Sequence, residues 1–327
     1  MQYAIATARP FSFAQSLAFI RRFPAVRDEY LVTADAVTAA VALDGRAVPF
    51  TLRATPSLVV ETSDERAARM AASFVGATDD VAGFYARAEG DGPLGAVIEQ
   101  LYGLHHVRFL SLGEIAVYSV LMQRAPIAIA AALKRKFLAA FGLEVTVQGK
   151  VLRAMPELSR LAELDGAEIA QAIGHSMKGE RIAAVVRGVA ALGEPWLRDA
   201  PYAAARDALL ELPGIGPFSA AAILLRGLGR MDELPSHRNF DEAGRAVYGE
   251  AFDPAAIANR YDRSIGYWAF YVMAAQGTRR SPMSAGRRER DGRRRLEVLE
   301  RCAIAATEDR ANRIHQQRLA WMFAARG

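Results

Sequence analysis

Two stretches of this chain hold residue types whose spacing could do chemistry. The first is LPGIGP at residues 212–217, set between ARDALLEL and FSAAAILLRGLG. Glycine adopts dihedrals that side chains forbid, and its missing Cβ lets another backbone come close. Gly214 and Gly216 therefore predict a tight helix–hairpin–helix turn whose second helix begins with unpaired, outward-facing N–H groups. Such amides take phosphate oxygens, and so can hold a nucleic-acid backbone whatever its sequence. The residues expected at that contact are Leu212, Gly214, Ile215, Gly216, Phe218 and Ser219, the last through its hydroxyl as well. The second stretch is MDELPSHRNFDEAGRAVYG, residues 231–249, which gathers Asp232, Glu233, His237 and Asp241. The ordinary pKa of histidine lies near neutrality, so His237 could take part in activating a water. Asp232 and Glu233 read instead as turn residues or helix-end partners.

His105 and His106 offer less. Adjacent side chains on a helix point about 100° apart and do not easily share one ion. Cys302 is the only cysteine, which excludes an internal disulfide and a multi-thiolate metal centre and points to a reducing cytoplasm. No metal and no cofactor is expected.

The elements that must position these residues follow from periodicity. Residues 1–85 carry short Val/Leu/Thr-rich runs broken by Asp44-Gly45 and Pro56-Ser57, flanked by helical stretches at 12–23 and 64–75. That pattern predicts a small antiparallel sheet, with a hairpin at Asp44-Gly45, in an α+β N-terminal domain. Residues 86–278 show Ala/Leu-rich helical spacing, with Gly142 as a stop. They predict an all-α domain with the helix–hairpin–helix at residues 207–228, and a chain that is mainly α overall. Residues 279–327 form a basic tail, 13 arginines against six acidic residues, after a body with 28 basic and 30 acidic side chains. A strongly basic tail on a near-neutral body favours polyanionic partners. The 52% hydrophobic content excludes a disordered chain. No apolar run reaches the ~18 residues of a membrane span, so no membrane partner is expected.

The sequence LPGIGPFSAAAILLRGLG resembles the hairpin of the helix–hairpin–helix DNA glycosylase superfamily, in its 3-methyladenine DNA glycosylase II (AlkA-like) branch. FSFAQSLAFIRRF resembles the branch's N-terminal opening. VYSVLMQRAPIAIAAALKRKFLAAFG resembles its first core helices, with Gln123 at a family glutamine, and GYWAFYVMAAQG its closing core helix. The resemblance runs over residues 3–277. It implies a DNA-repair enzyme that flips a damaged base, alkylated or otherwise, out of duplex DNA and hydrolyses its N-glycosidic bond. It also implies double-stranded DNA as partner, a monomer, and a cytoplasmic, nucleoid-associated location. Bifunctional members carry a lysine nucleophile where this chain has Pro217 or Phe218, so a monofunctional enzyme using water is expected. An extruded base needs walls to stack against. Tyr118, Gln123, Trp268 and Tyr271 are the candidates, with Phe218 beside the hairpin.

One departure bears on the chemistry. The family places an Asp shortly after the second hairpin helix, where its charge stabilises the cationic sugar. Aligned without gaps that position falls on Arg238, and in a second register on Ser236. Three readings stay open. A longer loop puts Asp241 in the role, four residues before Arg245. Alternatively, the enzyme works without the Asp and His237 attends the water. In the third, the protein is a non-catalytic DNA-binding and lesion-recognition protein. A glycosidase acting on another nucleic acid or nucleotide is a further alternative.

Overall fold

The computed structural model describes residues 1–54, 57–235 and 237–279, so Pro56, Ser236 and the basic tail beyond Arg279 lie outside the described residues. Strands β1 (Gln2–Ala4), β2 (Leu31–Val32), β3 (Ala36–Leu43), β4 (Arg46–Ala54) and β5 (Leu58–Thr62) form an antiparallel sheet in the order β1-β5-β4-β3-β2. The hairpin pairs Leu43 with Arg46 across Asp44-Gly45. Their φ values of 51° and 72° are those of the type I′ turn that Asp-Gly favours. Every residue of β3 is buried. One face sends Val37, Ala39, Val41 and Leu43 into the main core, and the other lays Ala40 and Ala42 on Leu152 and Ala154. Those two belong to a second hairpin, β6 (Leu143–Val147) with β7 (Lys150–Ala154), which corrects the expectation that residues 86–278 are all-α. The segment LEVTVQGKVLRA alternates, Gln148 and Gly149 turn it with φ of 50° and 77°, and β3's outer face shelters its apolar side.

Helices α1 (Phe13–Arg22) and α2 (Glu65–Phe74) start at Ser12 and Asp64, whose side chains accept from the amides of Gln15 and Arg66, the usual satisfaction of orphan N–H groups. α3 (Ala82–Ala88) and α4 (Gly92–Gln100) follow. α5 (Leu112–Leu121) is buried at every position, as a helix apolar all round must be. Then come α6 (Ile127–Phe141), α7 (Leu158–Ala162), α8 (Gly166–Ile173), α9 (Ser176–Leu192), α10 (Glu194–Asp199), α11 (Tyr202–Leu210) and α12 (Pro217–Ala222). α13 (Arg238–Tyr248), α14 (Pro254–Tyr261) and α15 (Ile265–Arg279) close the described chain. α6, α7, α9 and α12 pack directly on α5.

One core runs from Phe13 to Leu228 through the sheet and α5–α12, and a second gathers α3, α4 and α13–α15 around Tyr261, Trp268 and Tyr271. Met1–Gly277 cluster as one compact unit. A buried charge cluster helps join its parts. Lys134 on α6 is 0% exposed, with Nζ 2.6 Å from Glu29, 2.5 Å from Glu114 and 2.9 Å from the Ala25 carbonyl. Glu114 also accepts from the Leu110 amide at 3.0 Å while Ser111 caps α5, close to a capping box. Among the described residues no helix is long and apolar enough to cross a membrane.

Candidate functional site

α11 ends at Leu210, and the chain turns through residues 211–216 into α12. Gly214 has φ +89°, and a Cβ there would stand 2.5 Å from Arg181 Cγ, so conformation and space both require glycine. A Cβ at Gly216 would meet nothing. Pro217 opens α12 without an N–H, and the amides of Phe218 and Ser219 have no acceptor among the described residues. Gln123, just past α5, braces the turn. Its Nε2 donates to Gly214 O at 2.7 Å and Ser219 Oγ at 3.2 Å, while Oε1 accepts from Arg181 Nη1 at 2.7 Å. Lys178 Nζ donates to the carbonyls of Val120, Leu121 and Gln123, tying off the end of α5.

Of the six expected contact residues, Gly214 and Phe218 are exposed and Gly216 is half-buried. Ile215 and Ser219 are buried, and Leu212 packs on Gly188. The Ser219 hydroxyl accepts from Gln123 Nε2 and keeps its own hydrogen to donate.

Beside the hairpin lies a cleft of about 260 Å³. Its walls come from Phe218 and Ala221 of α12, Tyr118 of α5, Phe109, and the loop residues Leu234, Pro235 and His237. Asn239 and Phe240 of α13 and Gly266, Ala269, Phe270 and Met273 of α15 complete them. A Cβ on Gly266 would stand 2.8 Å from Met231 Sδ, so glycine lets α15 approach this loop. α12 runs on into one π turn, Ile223–Gly227, and that widened turn sets Leu225 and Arg226 in the wall, a placement π turns often serve. The Arg226 guanidinium lies 4.6 Å from the ring centre of Phe23 and 5.7 Å from those of Phe19 and Phe109, in cation–π contact. Its Nη2 is buried without a hydrogen-bond partner among the described residues. Burial pushes its pKa down to about 10. Tyr118 is 3% exposed, and burial pushes its hydroxyl up to about 12.

His237 caps α13. Its Nδ1 accepts from the Asn239 N–H at 3.2 Å, and its ring centre stands 4.8 Å from that of Phe218 and 5.8 Å from that of Phe240. An imidazole accepting at Nδ1 carries its proton on Nε2. The neutral ring is thus a donor at its free nitrogen.

The remaining expected residues divide sharply. Asp241 is half-buried in the first turn of α13 and is not among the cleft-lining residues. Steps of about 100° per residue carry it off the face that Asn239 and Phe240 give to the cleft. A carboxylate there suits the positive end of the helix dipole, one turn on from His237. Arg238 pairs with Glu242 at 2.6 Å in solvent, and Glu233 with Arg206 at 2.7 Å. Trp268 and Tyr271 are corrected: they belong to the second core, 2% and 0% exposed. Trp268 Nε1 donates to Tyr248 Oη at 3.1 Å, and the hydroxyls of Tyr248 and Tyr261 donate to Asp91 at 2.8 and 2.7 Å. Tyr271 Oη donates to Leu104 O at 2.9 Å. Tyr118 does line the cleft, whereas Gln123 serves the hairpin rather than the cleft. His105 holds Gly76 O at 2.6 Å and Pro10 O at 2.8 Å, and His106 lies buried against Phe270. Among the described residues no cluster fit to hold a metal occurs.

Sequence reasoning passed over Phe270, Met273 and Arg226. The small residues Gly266 and Ala269, one helical face with Phe270 and Met273, were the available signal for the first two. For Arg226 no signal existed, since an arginine in a helical run reads as solvated.

No family model matches the chain. It is 30% identical over 168 residues to a Bacillus subtilis protein described as DNA-3-methyladenine glycosylase, covering 51% of this chain and 54% of that one. The chain thus spans about half the length of this curated relative. In fold it is similar to the 3-methyladenine DNA-glycosylase from Archaeoglobus fulgidus, with a TM-score of 0.68 and 20% identity over 83% of this chain and 97% of that one. It is also similar to a Clostridium acetobutylicum 8-oxoguanine glycosylase/lyase solved with double-stranded DNA. There the TM-score is 0.58 and the identity 13%, over 76% of this chain and 97% of that one.

Proposed function

We propose that this chain is a monofunctional DNA-repair N-glycosylase of the helix–hairpin–helix, AlkA-like kind, a reading supported by its 30% identity over 168 residues to a DNA-3-methyladenine glycosylase and by its fold. It flips a damaged base from double-stranded DNA and hydrolyses its bond to the sugar. The observation that carries this reading is the aromatic cleft set directly beside a hairpin with unpaired, open amides. The hairpin amides hold the backbone phosphates, and the cleft between Phe218, Tyr118 and Phe270 takes the extruded base.

His237 is the catalytic residue on this reading. The C1′–N bond breaks with its electron pair going to the base, and the His237 Nε2–H stabilises that charge by donating a hydrogen bond while keeping its proton. Water oxygen bonds to C1′, and the proton that the water loses passes to the departed base. The products are free base and abasic sugar. Stabilising the leaving group replaces the stabilisation that a carboxylate would give the sugar; among the described residues lining the cleft none is acidic.

Single-turnover base release from damaged duplexes tests the proposal. His237→Ala is expected to slow release at least about a hundredfold, the range lost with one preorganised donor to developing charge. Asp241→Asn is expected to leave it within twofold. Duplex binding with no base released from any alkylated, deaminated or oxidised substrate would leave the non-catalytic, lesion-binding reading instead.

A further inference from the structure

The polar groups of the cleft point to the kind of base it accepts, on the premise that it is a base-flipping site. We propose that the cleft selects a neutral base with ring carbonyl oxygens on its edge, and discriminates against cationic, ring-alkylated purines. The polar side chains on the wall, Arg226, Tyr118, His237 and Asn239, each offer a hydrogen, while only Tyr118 and Asn239 can also accept one. Arg226 brings a guanidinium, which has N–H donors and no acceptor, and its Nη2 has no partner among the described residues. Tyr118 lies on the same wall, and no hydrogen bond of its hydroxyl occurs among the described residues. His237 presents Nε2–H because its Nδ1 is occupied by the Asn239 amide.

The charge argument runs the same way. Arg226 stacks on the faces of Phe23, Phe19 and Phe109, and no carboxylate lines the cleft among the described residues. A cationic purine would enter a wall that already holds a guanidinium faced by aromatic rings and without an ion-pair partner among the described residues. A carbonyl-bearing neutral base would instead satisfy buried donors that are costly to leave unpaired. Such a base also needs help on departure, which a donor at His237 supplies and which a cationic purine does not require.

The test uses the full chain in single turnover on duplexes carrying one hypoxanthine, one 8-oxoguanine, one 3-methyladenine or one 7-methylguanine. Rates are normalised to spontaneous loss, because methylated purines depart readily alone. The expected result is normalised release of hypoxanthine or 8-oxoguanine at least about tenfold above either methylated base, the size of one buried donor recovered. Tyr118→Phe keeps the ring and is expected to slow carbonyl bases at least about tenfold more than methylated ones. Arg226→Met is expected to narrow or reverse the preference, and Arg226→Lys to retain it. If Arg226→Met does not fold, judged by its thermal melt, Tyr118→Phe and Arg226→Lys decide. A preference for methylated bases, or variants that slow all four substrates equally, would overturn the selectivity while leaving the glycosylase reading intact. No release from any duplex would overturn the glycosylase reading itself.

Discussion

Replacing Lys134 with methionine isolates the buried cluster that ties the N-terminal segment to α5 and α6. The ammonium is fully enclosed and touches Glu29, Glu114 and the Ala25 carbonyl at 2.5–2.9 Å. Methionine fills the volume but leaves two enclosed carboxylates facing each other. Breaking a buried pair by removing one partner costs about 3–5 kcal/mol. For a chain of this size each kcal/mol moves Tm by about 2–4 °C, so the melt should fall by roughly 10 °C. The pH dependence gives an independent check. Burial and the neighbouring Glu114 already hold the Glu29 carboxyl above its ordinary value, against the pull of Lys134. Without the ammonium the Glu29 carboxyl rises further. A raised folded-state pKa contributes stability that is complete below the unfolded value and lost as pH climbs through the folded one. The deficit of Lys134→Met should therefore be larger at pH 8 than at pH 5. Adding Glu29→Gln and Glu114→Gln should recover most of it. Urea unfolding at both pH values, read by circular dichroism, makes the measurement. A deficit under about 1 kcal/mol, the range of a surface pair, or one indifferent to pH, would refute the reasoning.

Other perturbations separate conformation from contact. Gly216→Leu projects into open space and should leave Tm unchanged while weakening duplex affinity, read by fluorescence anisotropy. Gly214→Val must adopt φ +89° against Arg181 and should lower Tm by at least about 1 kcal/mol equivalent; a wild-type melt would contradict the hairpin geometry. Trp268→Phe should lower Tm through its lost bond to Tyr248 and keep base release per folded molecule, whereas Phe270→Ala should lose release. His106 is buried with neither ring nitrogen bonded among the described residues, and burial, then Arg226 and Arg108, hold its pKa well below 6.5. Its neutral form contributes stability above the unfolded pKa that is lost as pH falls, by up to about 1.4 kcal/mol per pH unit. His106→Leu should flatten the Tm profile between pH 7 and pH 5.

Local chemistry made some of this architecture readable. Asp44-Gly45 specifies its turn, Ser12 and Asp64 specify their helix starts, and the 212–217 glycines specify the hairpin. The β6–β7 hairpin was hidden because its alternation lies inside an Ala/Leu-rich context and its apolar side is covered by a strand about a hundred residues earlier. The cleft was harder still. α15 is apolar on every side, so periodicity identifies a buried helix without saying which face meets the core and which the cleft. Trp268 and Tyr271 do share a face, as spacing requires, and that face is the packed one. His237 and Asp241 differ by one helical turn, so spacing alone does not separate them; in the structure His237 is the cap and Asp241 lies in the first turn of α13.

α15 has a mechanical consequence. Phe270 and Met273 serve the cleft while Trp268 leads through Tyr248 and Tyr261 to Asp91. Rotating or sliding this helix would break a satisfied buried network, so its wall behaves as an anvil. Across from it, His237 is held at the start of α13 by its cap bond, two ring contacts and the amides of Phe240 and Asp241 on its carbonyl. If the cleft takes bases as proposed, its adjustment to different ones falls to that side, and substitutions that broaden its repertoire should accumulate in residues 234–240 rather than along α15.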